Sequence, residues 1–84
     1  MNDSQQDTLA LVDMLVRSLV DEADEVRVTA ADVDDEGMTI EVTVSPDDVG
    51  KVIGRQGRII KAIRTLARAA ASQDGFQVDV EVLG

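Results

Sequence analysis

The residues best suited to chemistry in this chain are cations, and most of them lie close to a cluster of glycines. Residues 50–57 read GKVIGRQG, in which glycines at 50, 54 and 57 bracket two cations. Glycine lets another backbone come close to the main chain, and Lys and Arg neutralise phosphates. The spacing therefore predicts a binding site for a sugar–phosphate backbone.

The positive charge is confined to one span of the sequence. All 17 acidic residues lie outside residues 51–68, and the formal net charge is −9. Physiological salt screens charges over about 8 Å, so a ligand at this span responds mainly to its local charge. We expect a polyanion to bind here and to be discouraged elsewhere. Six of the eight basic residues lie in the span: Lys51, Arg55, Arg58, Lys61, Arg64 and Arg68.

The composition of the chain provides few of the side chains that catalysis commonly uses. The chain has no histidine and no cysteine, which removes the commonest general base, thiolate nucleophiles and sulfur ligands for metals. Most acidic residues fall at predicted helix caps, turns and outward strand positions, and none form an evident pair in a cleft. The sequence therefore predicts a protein that is not an enzyme and that carries no cofactor.

One acidic segment partly matches a calcium-binding loop. Residues 32–37 read DVDDEG, but the EF-hand loop needs Asp or Asn at its fifth position and a bidentate Glu at its twelfth. Here those positions hold Glu36 and Thr43, and the flanking segments are predicted strands. We interpret the segment as a solvated hairpin turn that binds no metal.

Length and hydrophobicity are typical of one small globular domain, residues 1–84. Hydrophobic residues make up 44% of the chain, which is ordinary for a folded protein. No apolar stretch approaches the roughly 20 residues that span a bilayer. The first residues are acidic and polar, unlike the cationic start of a secretory signal. We expect a soluble, cytoplasmic domain.

Hydrophobic periodicity predicts the order helix, strand, strand, helix, helix, strand. Apolar residues recur at helical spacing from Leu9 to Val20, Ser4 and Asp7 fit the start of that helix, and the acidic run 21–25 fits its end. Alternation with a period of two marks the strands. The predicted ranges are a helix at about 5–21, a hairpin at about 25–44, a helix–turn–helix at about 46–71 and a last strand at about 76–82.

The predicted helix pair separates an apolar face from a basic one. Ser45 is suited to cap its first helix and Pro46 to begin it, and that helix breaks at Gly54. A helical projection of the second helix, from about Arg58 to Ala71, places its cations on one arc. We expect that arc to be an exposed ridge. The arc expected to be buried contains Ile59, Ile60, Ile63, Leu66 and Ala67.

Two familiar phosphate-binding motifs do not fit the glycines. A P-loop needs G-x-x-x-x-G-K-[ST], and a dinucleotide fold needs G-x-G-x-x-G; neither spacing occurs here. What remains is G-x-x-G as a link between two helices, formed by Gly54 and Gly57. Gly50 lies outside that motif, and we interpret it as a packing or turn residue.

The sequence around this link resembles a known RNA-binding family. Residues 52–60 read VIGRQGRII, which closely resembles the KH-domain signature, and the element order resembles the type II, bacterial arrangement. The chain's length and the segment GKVIGRQGRIIKAIRTLARAAA resemble the small single-domain KH proteins of the KhpA family. The resemblance implies an α+β fold in which helices pack on one face of a three-stranded sheet.

The resemblance also implies a set of RNA-binding residues. The G-x-x-G loop of KH domains clamps about four nucleotides of backbone, and nearby cations contact phosphates. Aliphatic residues lie near a groove for unstacked bases alongside the final strand, although some of them must also belong to the core. By position the clamp loop is Gly54, Arg55, Gln56 and Gly57, the cations are Lys51, Arg58, Lys61 and Arg64, and the aliphatic residues are Val52, Ile53 and Ile60.

By this resemblance the chain is a single-stranded-RNA-binding protein, a small RNA chaperone or post-transcriptional regulator. The resemblance further implies a homodimer or a heterodimer with a KhpB-type KH protein, and a role in cell elongation and envelope homeostasis. The only aromatic residue is Phe76, so base stacking contributes little and we expect modest affinity. The alternative is a KH-fold module that binds protein through its third or first helix and binds little RNA.

Overall fold

The structure is a computed structural model that describes all 84 residues. Its elements follow the predicted order, which confirms the α+β class. Short 3₁₀ turns at Ala23–Glu25, Pro46–Asp48 and Arg55–Gly57 connect them. The helices and strands are α1 (Asp3–Leu19), β1 (Arg27–Ala31), β2 (Gly37–Thr43), α2 (Val49–Ile53), α3 (Arg58–Gln73) and β3 (Gln77–Val82).

The sheet has the order β1-β2-β3, so β2 is the central strand. β1 pairs with β2 antiparallel, from Arg27 opposite Thr43 to Ala31 opposite Thr39. β3 pairs with β2 in parallel, from Gly37 beside Gln77 to Val42 beside Val82. A parallel pair requires a crossover between its strands. Here the crossover consists of α2, the glycine loop and α3, so the sheet fixes where both ends of the helix pair lie.

One face of the sheet forms the core, and the other is open. Side chains alternate in β2 and β3, so that those of Ile40 and Val80 are buried while those of Asp79 and Glu81 are exposed. α3 packs over β3, and α1 packs against α3 and β1. The core consists of Val12, Val16, Val26, Met38, Ile40, Val42, Val44, Val52, Ile60, Ile63, Ala67, Ala71, Phe76, Val78 and Val80.

The helix ends differ from those predicted. Asn2, and not Ser4, caps α1: its side chain accepts a hydrogen bond from the Gln5 N–H, and the Gln5 side chain accepts one from the Asn2 N–H. This reciprocal box begins the helix two residues early, because each of the two side chains satisfies a free backbone donor. α1 also ends at Leu19, before the acidic run that was predicted to end it.

Two further predictions about helices are wrong in detail. Ser45 precedes Pro46 as expected, but its side chain makes no capping bond, and its carbonyl accepts instead from the Asp48 N–H. Leu66 is 50% exposed and does not join the buried face of α3, although Ile60, Ile63 and Ala67 do. None of the helices combines the length and the apolar character that crossing a membrane requires.

Candidate nucleic-acid interface

The turn between α2 and α3 depends on glycine at position 54. α2 ends at Gly54, whose φ of 76° and ψ of 172° lie in a region that only glycine adopts readily. A Cβ added there would lie 2.6 Å from Cγ1 of Ile59. Both backbone conformation and space therefore exclude a side chain, and Ile59 packs directly against the bare backbone.

The next residues complete a tight left-handed reversal. Gln56 has φ 57° and ψ 24°, and Gly57 has φ 72° and ψ 18°, so two consecutive residues are left-handed. The Gly57 N–H donates to the Gly54 carbonyl at 3.1 Å. No side chain caps the N terminus of α3, which begins at Arg58. The Arg58 N–H donates to the Arg55 carbonyl, and the helix end keeps a partial positive charge, which suits an anion.

The cations nearest the loop differ in how freely they can reach a ligand. Arg55 and Lys61 are exposed, and neither side chain makes an ion pair or a hydrogen bond within the protein. Arg58 is also exposed, and its Nη2 donates to Oε1 of Gln56 at 3.2 Å. These three guanidinium and ammonium groups surround the start of α3 and are available to phosphates.

Lys51 is held by acidic residues that lie outside the basic span. Its Nζ lies 2.8 Å from Oδ2 of Asp21 and 2.9 Å from Oδ1 of Asp48. Hydrogen bonds to these carboxylates, Asp21 first and then Asp48, raise the pKa of the ammonium group. The carboxylates of Asp21 and Asp48 therefore compete with a phosphate for the ammonium group of Lys51.

Asp48 is a buried carboxylate that links the start of α2 to the segment that follows α1. It is 1% exposed and accepts hydrogen bonds from the backbone N–H groups of Asp21, at 3.2 Å, and Glu22, at 3.0 Å, as well as from Lys51. The Lys51 hydrogen bond, followed by that from Glu22, lowers the pKa of Asp48 below its ordinary value. The sequence showed Asp48 three residues before Lys51, but gave no signal for Asp21.

The rest of the cationic ridge follows the free edge of β3. Arg64 is half-buried, and its Nε donates to the Val80 carbonyl at 3.0 Å. Farther along α3, Nη2 of Arg68 pairs with Oδ1 of Asp79 at 3.0 Å. Between α3 and β3 lies an open concavity of about 490 Å³, lined by Lys61, Arg64, Thr65, Arg68, Asp79, Val80 and Glu81.

The aliphatic residues predicted for a base-binding groove divide between core and surface. Val52 is fully buried and Ile60 is 5% exposed, so their side chains pack in the core. Ile53 is half-buried and keeps some apolar surface beside the loop. Ile59, which sequence reasoning placed only in the buried arc, is also half-buried and contacts the Gly54 backbone. The accessible apolar surface near the loop is therefore that of Ile53 and Ile59.

Gly50 has neither role that the sequence predicted for it. It lies within α2, is exposed, and has no positive φ. A Cβ at this position would meet no atom within 4 Å. Gly50 is therefore neither a packing residue nor a turn residue in the folded chain.

Comparison with known proteins shows the family of the chain. A family model described as KhpA/KhpB, KH domain matches residues 10–82. The chain belongs to this family. The α+β fold described above is compatible with the type II KH arrangement, so the predicted family and fold class are confirmed.

Individual relatives have similar lengths. The chain is 47% identical over 73 residues to the RNA-binding protein KhpA of Clostridium perfringens, covering 87% of this chain and 96% of that one. It is 45% identical to the protein of the same name from Clostridium acetobutylicum, with the same coverage. It is 48% identical over 69 residues to that of Leifsonia xyli, covering 82% of this chain and 87% of the relative.

Proposed function

We propose that this chain binds single-stranded RNA, chiefly through the phosphate backbone, at the loop from Gly54 to Gly57. The observation that carries the proposal is the left-handed pair Gln56–Gly57 leading into an uncapped helix N terminus, with Arg55 and Lys61 unpaired beside it. Bare glycine backbone allows a phosphate to approach, and the helix end and the cations attract its charge. Membership of the KhpA/KhpB family and the names of the relatives support RNA as the polymer.

Two features of the structure support a modest affinity. Phe76 is 5% exposed, so the only aromatic ring offers little surface for base stacking. Lys51 is paired with two carboxylates and Arg68 with one, so fewer than six cations are free for phosphates. Modest affinity, weak base preference and a shallow salt dependence follow, because stacking is weak and few counterions are released.

The proposal is tested by the double substitution Arg55→Asp with Gln56→Asp. Fluorescence anisotropy with labelled single-stranded RNA, over a salt series, measures affinity and the number of phosphate contacts. We expect the double variant to lose most of its affinity. For wild type we expect a log–log slope of about −0.7 per phosphate neutralised.

A matched control separates the loop from net charge. Arg27→Asp with Gln6→Asp introduces the same change in charge at exposed positions outside the loop, and it should retain most of the affinity. Undiminished binding by the folded loop variant, or no binding by wild type to any RNA pool, contradicts the proposal.

We also propose a wider role, for which family membership is the support. We infer that RNA binding serves a chaperone or post-transcriptional function in the cytoplasm, together with a KhpB-type partner, and contributes to cell elongation and envelope homeostasis. Cells that lack the protein should then be altered in length, and wild type should restore them. The loop double variant should fail to do so; full restoration by it would separate this role from RNA binding.

A second candidate function is pairing with another KH protein, including a second copy of this chain. Its specific support is Leu66, a large apolar residue that is 50% exposed on α3. Ala62 and Ala69 lie four residues before and three after it, on the same side of the helix, and both are exposed. Together these residues form a small apolar surface away from the core.

Light scattering at several concentrations tests this pairing. Leu66→Glu should abolish any dimer, because it places a charge at the centre of the apolar surface. Leu83→Glu is the matched control, since Leu83 is 57% exposed outside α3. A monomer at every concentration, alone and mixed with a KhpB-type protein, or a dimer unaffected by Leu66→Glu, would contradict this role for α3.

A further inference from the structure

The ammonium group of Lys51 has one more hydrogen-bond donor than the protein uses. A lysine ammonium group carries three N–H donors. Two of them reach Oδ2 of Asp21, at 2.8 Å, and Oδ1 of Asp48, at 2.9 Å. No other group of the protein accepts from this nitrogen, and the Lys51 side chain is 43% exposed. One donor therefore remains for an acceptor that arrives from solvent.

The two carboxylates that hold Lys51 differ in burial, and therefore in how strongly they resist separation from it. The Asp21 side chain is 77% exposed, and exposed ion pairs are only weakly stabilising. The Asp48 side chain is 1% exposed, and a buried carboxylate that loses its cation is strongly destabilised. An anion that approaches Lys51 therefore displaces Asp21 and leaves Asp48 in place.

This exchange requires no movement of the main chain. The backbone N–H groups of Asp21 and Glu22 donate to Oδ1 and Oδ2 of Asp48. These two bonds fix the segment after α1, whichever way the Asp21 side chain points. Only that exposed side chain has to turn away for a phosphate to take its place on Lys51.

Lys51 is the one cation of the basic span that precedes the glycine loop. The last turn of α2 continues into the loop, because the Gly54 N–H donates to the Gly50 carbonyl at 2.8 Å. Lys51 lies three residues before Gly54, which is less than one helical turn. Its neighbour Gly50 is exposed and has no side chain that could screen the ammonium group. Lys51 therefore supplies positive charge on the α2 side of the loop.

We propose that Lys51 forms a phosphate subsite on the α2 side of the loop, in which Asp48 positions the ammonium group and RNA displaces Asp21. The subsite rests on the RNA binding proposed above, because the loop brings the strand to α2. Asp21 occupies the ammonium group while RNA is absent, so it lowers the affinity for RNA. Asp48 is a positioning residue, since it holds Lys51 and does not touch the RNA.

Neutralising the two acids should change RNA affinity in opposite directions. Asp21→Asn and Asp48→Asn remove the same charge, so general attraction of a polyanion predicts a gain for both. We expect Asp21→Asn to raise the affinity for a labelled oligouridine octamer about two- to three-fold, because the competing carboxylate is gone. We expect Asp48→Asn to lower it about three-fold, because the ammonium group is no longer held in position.

Two further variants assign these effects to the ammonium group. Glu22→Gln removes a charge from the adjacent exposed side chain, which makes no ion pair or hydrogen bond, and it should raise the affinity less than Asp21→Asn. Lys51→Gln should make the log–log salt slope of wild type shallower by about 0.7, one phosphate contact on a single strand. In the Lys51→Gln background, Asp21→Asn should give no larger gain than Glu22→Gln.

NMR observes the exchange directly in the wild-type protein. Lys51 and Lys61 are the only lysines of the chain, so their two ammonium signals are easily assigned. When the octamer is added, the Nζ signal of Lys51 and the side-chain carboxylate signal of Asp21 should shift, and the carboxylate signal of Asp48 should stay. Ion pairs with a purely structural role would show no shift at Lys51 or Asp21.

The outcomes distinguish this subsite from the proposed function. If wild type binds no RNA, both are overturned. If wild type binds RNA through the loop, three results each overturn the subsite alone: affinity changes of the same direction in the folded Asp21→Asn and Asp48→Asn variants, an unchanged salt slope in Lys51→Gln, or an Asp21 carboxylate signal that does not move. If Asp48→Asn does not fold, the wild-type spectra decide its role, and an Asp48 shift as large as that of Asp21 overturns it.

Discussion

At the scale of single residues, three glycines within eight positions meet three different physical conditions. Gly54 has a backbone conformation that is almost exclusive to glycine and no room for a side chain. Gly57 is left-handed, but its nearest neighbour would be 3.9 Å from an added Cβ. Gly50 is helical and unobstructed. Only the first two belong to the G-x-x-G motif.

Alanine substitutions should separate these conditions. We expect Gly54→Ala to lower the free energy of unfolding by about 2–3 kcal/mol, through strain and its clash with Ile59. Gly57→Ala should lower it by about 1 kcal/mol, the cost of a left-handed alanine. Gly50→Ala should raise it by up to about 1 kcal/mol, because alanine favours the helix. Urea denaturation measures all three, and equal effects at the three positions would contradict this reading of the loop.

At the scale of elements, Asp48 and the Lys51–Asp21 ion pair connect α2 to the segment after α1. The buried carboxylate of Asp48 accepts from backbone N–H groups in the segment after α1 and from Lys51 in α2. α2 has only five residues, too few to be stable alone. The carboxylate therefore helps to fix the short helix from which the glycine loop projects.

Asp48 should make stability depend on pH. Because its pKa is lowered in the folded state, the folded protein binds the proton less tightly than the unfolded chain does. Its stabilising contribution is complete above the ordinary Asp pKa of about 4, and it is lost as pH falls through the lowered pKa. We expect Asp48→Asn to be clearly less stable than wild type at pH 7, and the difference to narrow progressively below pH ~4.

Thermal unfolding from pH 7 to pH ~2 checks this dependence, since the expected loss lies below the ordinary Asp range. Asp35→Asn is the control, because its exposed side chain makes no hydrogen bond in the hairpin turn. It should follow the wild-type profile closely. A difference between Asp48→Asn and wild type that stays constant over the whole range would exclude the carboxylate charge as its source.

Local patterns predicted the elements, and tertiary contacts decided what the patterns left open. Alternation in β2 and β3 and the glycine spacing are local properties, so element order and the loop could be read from the sequence. The ion pairs of Lys51 and Arg68 could not be read from the sequence, because their partners are distant in the chain. Asp21 lies 30 residues from Lys51, and Asp79 lies 11 residues from Arg68. Leu66 was misplaced because a helical projection shows direction, but not whether another element covers that side.

At the scale of the whole molecule, charge acts on folding and on binding in opposite senses. The chain carries a formal net charge of −9, yet Arg55, Arg58 and Lys61 surround the loop. Repulsion among acidic residues destabilises the compact state, while the local cations attract RNA. Salt screens both effects.

Raising the salt concentration should therefore stabilise the fold and weaken RNA binding. Between about 20 and 200 mM NaCl, where the Debye length falls from roughly 20 to 7 Å, we expect the melting temperature to rise by a few degrees. Over the same range RNA affinity should fall with the slope described above. Calorimetry and anisotropy in matched buffers measure both. A melting temperature that falls with salt would show that attractive ion pairs outweigh the repulsion.

The parallel pairing of β2 with β3 also has a consequence for how the chain acquires its structure. The β1–β2 hairpin closes over a short turn, whereas β3 can join β2 only after the intervening helices have crossed the sheet. Such non-local pairing is slow, because loop-closure entropy is lost before the contacts form. The glycine loop lies inside that crossover. The conformation of the loop and the pairing of β3 with β2 are therefore coupled, so we expect the residues proposed to contact RNA to affect also how quickly a newly made chain folds.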